Sequence, residues 1–213
     1  MIVPARFNGP PSSGNGGYSA GLFAGHADRE VTLRRPPPLD TPLSMIDGQV
    51  RTADGAVVAE VRPPGEVDTP VPPIPYADAL RAATTYAGFA DHPFPTCYVC
   101  GPDRPDGLRI FPGRLPDDST AAPWTVPDDV SAPTVWAALD CPGGWAVIAA
   151  GRPYVLGRIT VRLGRLPTPG DRCVLRGALV AAEGRKALVH TTLYGPDGAE
   201  LARARATWIG IAG

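Results

Sequence analysis

The stretch VTLRR at residues 31–35 has a counterpart later in the same chain, VRLGR at residues 161–165. Both copies place valine, leucine and arginine at the same spacing, and a proline follows at the same distance in each, Pro37 and Pro167. Both alternate apolar and polar residues, which is typical of a half-buried β-strand. A repeated strand indicates that one structural unit occurs twice.

Two weaker matches follow the same order along the chain. DGAVVA (54–59) resembles DGAELA (197–202), and YSAGL (18–22) resembles VWAAL (135–139). Together the matches indicate a helix followed by strands, present twice, with the second copy longer by about a hairpin between its second and last strands. We therefore predict an intrachain pseudo-dimer, which can keep different chemistry in each half.

The secondary-structure prediction is rich in short strands, because 27 prolines and 25 glycines are spread along the chain. Helices are predicted at the glycine-rich opening stretch NGGYSAGLFAG, at residues 76–89 and at residues 131–140. We expect Pro142-Gly143-Gly144 to end the third helix. Alternating runs predict strands at 30–35, 157–165, 173–180, 187–195 and 200–211.

The predicted domain boundaries follow from these elements. The proline-rich segment 63–75 precedes a helix and is typical of a connection between domains. We predict a shortened N-terminal unit at residues 1–72, a connecting helix and linker at 73–92, and a C-terminal unit at 93–213.

Composition excludes several classes of protein. The 213 residues carry a net charge of −1, which provides no basic field for nucleic acid or an anionic membrane. The N-terminus has no basic patch followed by an apolar run, and no apolar run approaches the roughly 20 residues of a membrane span. We expect a cytoplasmic protein that binds neither nucleic acid nor membrane.

Four cysteines are too few for a disulfide scaffold in a chain of this length. Cys97-Tyr-Val-Cys100 has the spacing of a redox or zinc half-site, and His92 lies nearby in sequence. However, no second cysteine pair accompanies it, and a closed structural zinc site needs four ligands. We therefore interpret the cysteines as reduced thiols and expect no metal site.

Several motifs together resemble one family. Asn15-Gly16-Gly17 matches a central helix that opens with a polar residue and two glycines, and Asp140 matches an acid about two and a half turns into such a helix. GRITVRLGRLPTPGD (157–171), GPDGAELARARATW (195–208) and CYVCGPDRPDGLRIFPG (97–113) follow the family's order. On these residues the chain resembles the double-hotdog acyl-CoA thioesterases of the thioesterase superfamily, in particular the phenylacetate-pathway type.

The resemblance implies an α+β double hotdog, with two antiparallel sheets each wrapping a central helix. In this family the active site lies between two units and uses the helix start of one and the acid of the other. The first half has apolar residues at the acid position, near Phe23 or Ala24, and the second has Ser131-Ala132-Pro133 where the glycine pair should be. The resemblance therefore implies one functional site per chain, made by Asn15-Gly16-Gly17 and Asp140.

The implied roles suit thioester hydrolysis. A backbone N–H at a helix start stabilises a developing oxyanion, and Gly17 is the first choice of donor, with Gly16 beside it. Asn15 caps the helix or orients the carbonyl or water. Asp140 acts as general base or nucleophile, and burial should raise its pKa. The remaining substrate-binding candidates are Tyr18, Trp136, Trp145 and Arg158, with Arg34, Arg35 and Arg162 as further possible phosphate contacts.

Each site residue also has a structural interpretation. Asn15 suits an N-cap without any catalytic role, and Asp140 suits a cap of a turn near Pro142. Gly17, Gly21 and Gly25 recur every four residues and form a smooth stripe on one helix face. We expect Gly21 and Gly25 to let the helix lie close to the sheet that wraps it. Only the complementarity between the two halves favours the catalytic interpretation.

The sequence thus predicts an acyl-CoA thioesterase that needs no cofactor beyond the coenzyme A of its substrate, and a homodimer of the pseudo-dimer is possible. One alternative is an acyl-binding hotdog module without turnover. Another is an acyl-thioester hydratase or dehydratase, although such an enzyme would be expected to pair a histidine with an acid in its site motif.

Overall fold

A computed structural model describes residues 1–25, 27–67, 69–148 and 152–211. It contains the helices α1 (Gly16–Ala24), α2 (Tyr76–Ala83) and α3 (Ala132–Trp145), with 3₁₀ turns at Ala5–Phe7 and Ala87–Phe89. The strands are β1 (Arg29–Leu33), β2 (Ser44–Ile46), β3 (Gln49–Arg51), β4 (Val57–Arg62), β5 (Gly113–Arg114), β6 (Thr120–Thr125), β7 (Tyr154–Leu163), β8 (Arg172–Glu183), β9 (Lys186–Tyr194) and β10 (Glu200–Gly210). The five predicted strand runs correspond to β1 and to β7 through β10.

The strands form one ten-stranded antiparallel sheet in the order β2-β3-β4-β1-β7-β10-β9-β8-β6-β5. From the middle of the sheet outward, the first half has the order β1, β4, β3, β2. The first strand after α1 is therefore followed by the fourth, the third and the second. The four strands after α3 have the equivalent order in the other direction, β7, β10, β9, β8. The predicted two sheets are therefore continuous, because β1 pairs directly with β7.

The sequence repeats fall on equivalent places in this sheet. The match between VTLRR and VRLGR makes Glu30 and Thr160 equivalent, and these two residues pair with each other across the β1–β7 ladder. Gly55 and Gly198, from the matched DGA motifs, precede β4 and β10 with φ values of 84° and 76°. If a local two-fold axis relates the two halves and passes between β1 and β7, equivalent residues must pair with each other there. The pairing of Glu30 with Thr160 meets this requirement.

The predicted extra hairpin in the second copy is wrong. The first half has its own hairpin, β2 and β3, and each strand has only three residues. These strands are too short to produce an alternating run, although Asp47-Gly48, which joins them with positive φ at both residues, is a typical hairpin turn. The additional strands of the second half, β5 and β6, instead precede α3 and extend the edge of the sheet.

Helix α3 lies in the core and is longer than predicted. Every residue from Thr134 to Trp145 is buried, and the helix continues through Pro142. Its glycines face the sheet: a Cβ on Gly143 would lie 2.7 Å from a methyl of Val189, and one on Gly144 would lie 2.5 Å from the Trp208 ring. Burial against the sheet therefore outweighs the helical hydrogen bond that a proline cannot donate.

The other two helices flank α3 and the sheet. Helix α1 packs mainly against α3 and also contacts β1 and β7, whereas α2 packs on β5, β6 and β8. The predicted helix at 76–89 ends early, at Ala83, and the 3₁₀ turn Ala87–Phe89 follows it. Across the described ranges, no helix has the length and apolar character needed to span a membrane.

Candidate active site

The carboxylate of Asp140, on α3, lies at the start of α1. Asp140 is 2% exposed, and its Oδ2 accepts hydrogen bonds from the Gly17 backbone N–H at 2.9 Å and from Asn15 Nδ2 at 3.3 Å. The structure thus brings together the three residues for which the sequence predicts catalytic roles. Their catalytic roles stay predictions, whereas their contact is a feature of the fold.

Asn15 has two separate hydrogen-bonding tasks. Its Oδ1 accepts the Tyr18 backbone N–H at 2.9 Å, which caps α1, and its Nδ2 donates to Asp140. The cap and the carboxylate require the amide to point in one direction, with oxygen toward the helix and nitrogen toward Asp140. The structural and catalytic interpretations of Asn15 are therefore compatible.

Glycines on α1 allow this helix to lie close to α3. A Cβ on Gly17 would lie 2.6 Å from both Asp140 Cβ and the Trp136 carbonyl oxygen, and one on Gly21 would lie 2.7 Å from Trp136 Cβ. The close-packing partner of the glycine stripe is thus α3, where we expected the wrapping sheet. Gly25 has a different role, since it ends the helix with φ of 69° and open space around it.

The oxyanion donor predicted from the sequence needs revision. The Gly17 N–H is already bonded to Asp140, so it does not point freely toward a thioester carbonyl. The N–H of Gly16 has no hydrogen-bond acceptor in the described part of the chain, and Gly16 lines the neighbouring cavity. Gly17, the first choice of oxyanion donor from the sequence, therefore has its N–H occupied by Asp140, whereas Gly16 lies at the cavity wall with an N–H that no described residue accepts.

Burial dominates the electrostatics of Asp140. Desolvation raises the pKa of its carboxyl to about 7, although the hydrogen bonds from Gly17 and Asn15 act in the opposite direction. The expected rise in pKa is confirmed. The second oxygen, Oδ1, is buried and has no hydrogen-bond partner among the described residues. Asp140 thus has one oxygen held by α1, whereas its other oxygen is a buried acceptor without a hydrogen bond from the described residues.

A cavity of about 280 Å³ adjoins the two helices. Its wall includes Asn15, Gly16, Asp140 and Trp145, so both halves of the predicted site contribute to it. Most of the remaining wall is apolar and includes Leu33, Phe94, Ile148, Tyr154, Leu156, Trp208 and Ile209. Apolar lining with a few polar groups is typical of a small-molecule site.

Only some of the predicted substrate-binding residues line this cavity. Gly16 and Trp145 do. Trp136 packs against Gly21 in the helix interface, and Tyr18 stacks on Phe7 with ring centroids 3.8 Å apart. Arg158 donates to Thr32 and forms an ion pair with Glu30 on the sheet. These three lie outside the residues that form the cavity wall.

The sequence interpretation missed a group of cavity residues. Cys97, Cys100 and Cys141 also line the wall, as does His92. The Sγ atoms of Cys100 and Cys141 are 3.2 Å apart, and all three Sγ atoms lie within 4.8 Å of one another. The fold adds Cys141 to the Cys97/Cys100 pair because α3 passes beside their loop. The position of Cys141 directly after Asp140 was the available signal.

Comparison with known proteins gives only distant similarity. No family model and no curated protein matches the chain. Among solved structures, the E. coli PaaI protein from the phenylacetic acid degradation operon is 14% identical over 50% of this chain and 82% of its own, with a TM-score of 0.45.

Two other solved structures have comparable values. A thioesterase superfamily protein is 20% identical over 54% of this chain and 60% of its own, with a TM-score of 0.48. A hypothetical thioesterase from Streptococcus pneumoniae TIGR4, crystallised with coenzyme A, is 13% identical over 47% of this chain and 84% of its own, with a TM-score of 0.44. The assignment of a function therefore rests on the site of this chain.

Proposed function

We propose that this protein is an acyl-CoA thioesterase with one composite site, formed by the start of α1 and by Asp140 of α3. The observation that carries the proposal is the buried Asp140 carboxylate, held by Gly17 and Asn15 through one oxygen while the other has no partner among the described residues. A buried carboxylate is retained at a cavity wall at considerable free-energy cost, and such groups concentrate at functional sites.

The proposed reaction uses the two sides of this site. The thioester carbonyl lies near the Gly16 N–H, where the amide and the positive end of the α1 dipole stabilise the oxyanion. Asp140 Oδ1 takes a proton from water as the water oxygen bonds to the carbonyl carbon. When the tetrahedral intermediate collapses, the carbon–sulfur bond breaks. Asp140 then returns its proton to the departing thiolate, which leaves as the thiol. The products are the free acid and coenzyme A.

The architecture that we propose for this site is a double hotdog. One unit contains α1 within residues 1–72, the other contains α3 within residues 93–213, and residues 73–92 connect them. The equivalent strand orders and the paired repeat residues Glu30 and Thr160 support this division. Since α1 carries no acidic residue, the reciprocal position has no counterpart of Asp140, which supports a single site per chain.

Cationic side chains at the cavity supply the proposed contact with the nucleotide. Arg34 and Arg35 both line the cavity and both are exposed. Arg34 forms two hydrogen bonds with Glu60, at 2.9 and 3.0 Å. Arg35 is therefore the better candidate for a phosphate of coenzyme A.

The hydratase alternative has less support. His92 lines the cavity, but its Nδ1 accepts the Phe94 backbone N–H at 2.9 Å and its Nε2 lies 3.4 Å from Cys100 Sγ. Both ring nitrogens are thus engaged within the protein, which disfavours a histidine base.

A panel of acyl-CoA esters with aliphatic and aromatic acyl groups, assayed for released thiol, tests the proposal. A thioesterase releases thiol with saturation kinetics. A hydratase changes enoyl absorbance without releasing thiol, and a binding module shows saturable binding with neither reaction; either of these results would overturn the proposal. In ¹⁸O-labelled water, a single turnover by general-base catalysis labels the product acid and leaves Asp140 unlabelled. Label in Asp140 would instead show that a mixed anhydride had formed with Asp140 and had been opened at the Asp140 carbonyl, which would identify Asp140 as a nucleophile.

A further inference from the structure

Three thiols and one imidazole converge at the wall of the cavity. Cys97 and Cys100 come from the loop after α2, Cys141 comes from α3, and His92 precedes the cysteine pair. All three cysteines are buried free thiols. The fold thus brings three thiols and an imidazole together from segments that are distant in sequence.

The distances among the sulfur atoms suit a metal ion better than a disulfide. Zinc binds thiolates at about 2.3 Å, which in a tetrahedron separates the sulfur atoms by about 3.8 Å. The Cys100 and Cys141 sulfurs are 3.2 Å apart, and no pair in the group exceeds 4.8 Å. The separations in the protein are therefore within about 1 Å of those that tetrahedral zinc demands.

The groups around the thiols can support negative charge on sulfur. Nδ2 of Asn15 lies 3.8 Å from Cys97 Sγ, and His92 Nε2 lies 3.4 Å from Cys100 Sγ. The Phe94 N–H donates to His92 Nδ1, which places the ring proton on Nε2, pointing at Cys100. Hydrogen bonds to ligand atoms from a second layer of residues are typical of metal sites.

We propose that Cys97, Cys100 and Cys141 form a zinc-binding site, with His92 donating a hydrogen bond to Cys100 and a solvent molecule from the cavity as fourth ligand. Three protein ligands with an open fourth position are an established arrangement for zinc. Thiolate ligands select zinc over magnesium or calcium. This proposal does not depend on the proposed thioesterase activity.

The proposed ion would join the two halves of the candidate active site. Cys141 follows Asp140 directly on α3, and Cys97 contacts the Asn15 side chain at the start of α1. A metal that fixes these cysteines would therefore hold the loop, α1 and α3 in one arrangement. Its role is to position Asn15 and Asp140.

Metal analysis of the purified full-length protein tests the proposal. We expect close to one zinc ion per chain after purification without chelator, and a matching uptake when chelator-treated protein is titrated with Zn²⁺. Co²⁺ should produce the intense thiolate charge-transfer and visible bands of a tetrahedral sulfur site. Because these measurements use the wild-type chain, they do not depend on the folding of a variant.

Single substitutions provide the matched comparison. Cys100→Ser and Cys141→Ser should lose the ion and the cobalt spectrum, whereas Cys173→Ser should retain both, because Cys173 is a buried free thiol on β8 outside the group. Chelator should lower the Tm of the wild type and of Cys173→Ser. Failure of wild-type protein to take up Zn²⁺ or to give the cobalt bands would overturn the proposal. So would an intact mass showing a Cys100–Cys141 disulfide in the protein as isolated.

Discussion

Asp140 Oδ2 accepts a 2.9 Å hydrogen bond from the backbone N–H of Gly17, a residue of the other helix and of the other half of the chain. This contact requires α1 and α3 to approach so closely that position 17 has no room for a Cβ. Packing of the helices and orientation of the carboxylate are therefore one structural feature. A substitution that adds bulk at position 17, or that removes the hydrogen-bond acceptor at position 140, should therefore affect both stability and the site.

Alanine substitutions at the two glycines that open α1 should have different effects. Gly17→Ala places a methyl against Asp140 Cβ and the Trp136 backbone oxygen, and such overpacking destabilises by about 1–3 kcal/mol. Gly16→Ala places a methyl 2.8 Å from Leu156 Cβ, so it also requires a shift, but it meets this one side chain and no backbone atom of α3. Chemical denaturation should therefore show the larger loss of stability for Gly17→Ala.

The same two variants distinguish an effect on helix packing from an effect on the rate of thiol release. Gly16→Ala should lower kcat more than its loss of stability explains, because the added methyl stands beside the proposed oxyanion donor. Equal stability of the two variants would contradict the helix packing described above. A fully active Gly16→Ala would remove Gly16 from the proposed mechanism.

Substitutions at Asn15 should distinguish its cap from its contact with Asp140. Asn15→Ala removes the hydrogen bonds of this side chain with Tyr18, Asp140 and Cys97, and loss of the N-cap alone destabilises by about 1 kcal/mol. Asn15→Ser keeps an oxygen for the Tyr18 N–H but removes the amide donor to Asp140. Thermal unfolding should therefore place Asn15→Ser near the wild type, while its thiol-release rate should fall as far as that of Asn15→Ala. If the serine variant kept wild-type activity, Asn15 would be only a cap.

Arg35 should contribute to recognition of the nucleotide and not to chemistry. Arg35→Gln should raise KM for an acyl-CoA by about two- to fivefold, the range expected for one exposed ion pair, with kcat unchanged. The N-acetylcysteamine thioester of the same acid lacks the nucleotide and should show no change. Arg162→Gln, an exposed arginine of β7 outside the cavity wall, is the control. Equal effects on both substrates would argue against the phosphate contact.

The sequence predicted much of the strand content, and it singled out Asn15, Gly17 and Asp140, which are in contact in the structure. Alternating residues and turn motifs identified the long strands after residue 154, although burial alternates along most of β10 and not along β8, which is buried at 173–177 and exposed at 179–183. The continuation of α3 through Pro142 was not predictable from local preference, because the fit of Gly143 and Gly144 against the sheet determines it.

Details of the site depend on contacts that no local pattern contains. Spacing placed Gly17 at the helix start, but only the packing of α1 on α3 determines that its N–H serves Asp140 and leaves Gly16 facing the cavity. Cys141 likewise joins Cys97 and Cys100 through the fold and not through sequence spacing. Arg158 has a side chain of the type that binds phosphate. In the structure, however, it donates a hydrogen bond to Thr32 and forms an ion pair with Glu30 on the neighbouring strand.

Steady-state thiol release by the wild type and by Asp140→Asn tests the central claim most directly. The amide has nearly the same shape and still offers an oxygen to the Gly17 N–H, but it cannot accept a proton from water. General-base catalysis contributes roughly 10²- to 10⁴-fold to a rate, so we expect a loss of kcat within that range with little change in Tm. The control, Asp128→Asn, changes an exposed carboxylate before α3 and should match the wild type. Undiminished thiol release by a folded Asp140→Asn would contradict the proposed active site.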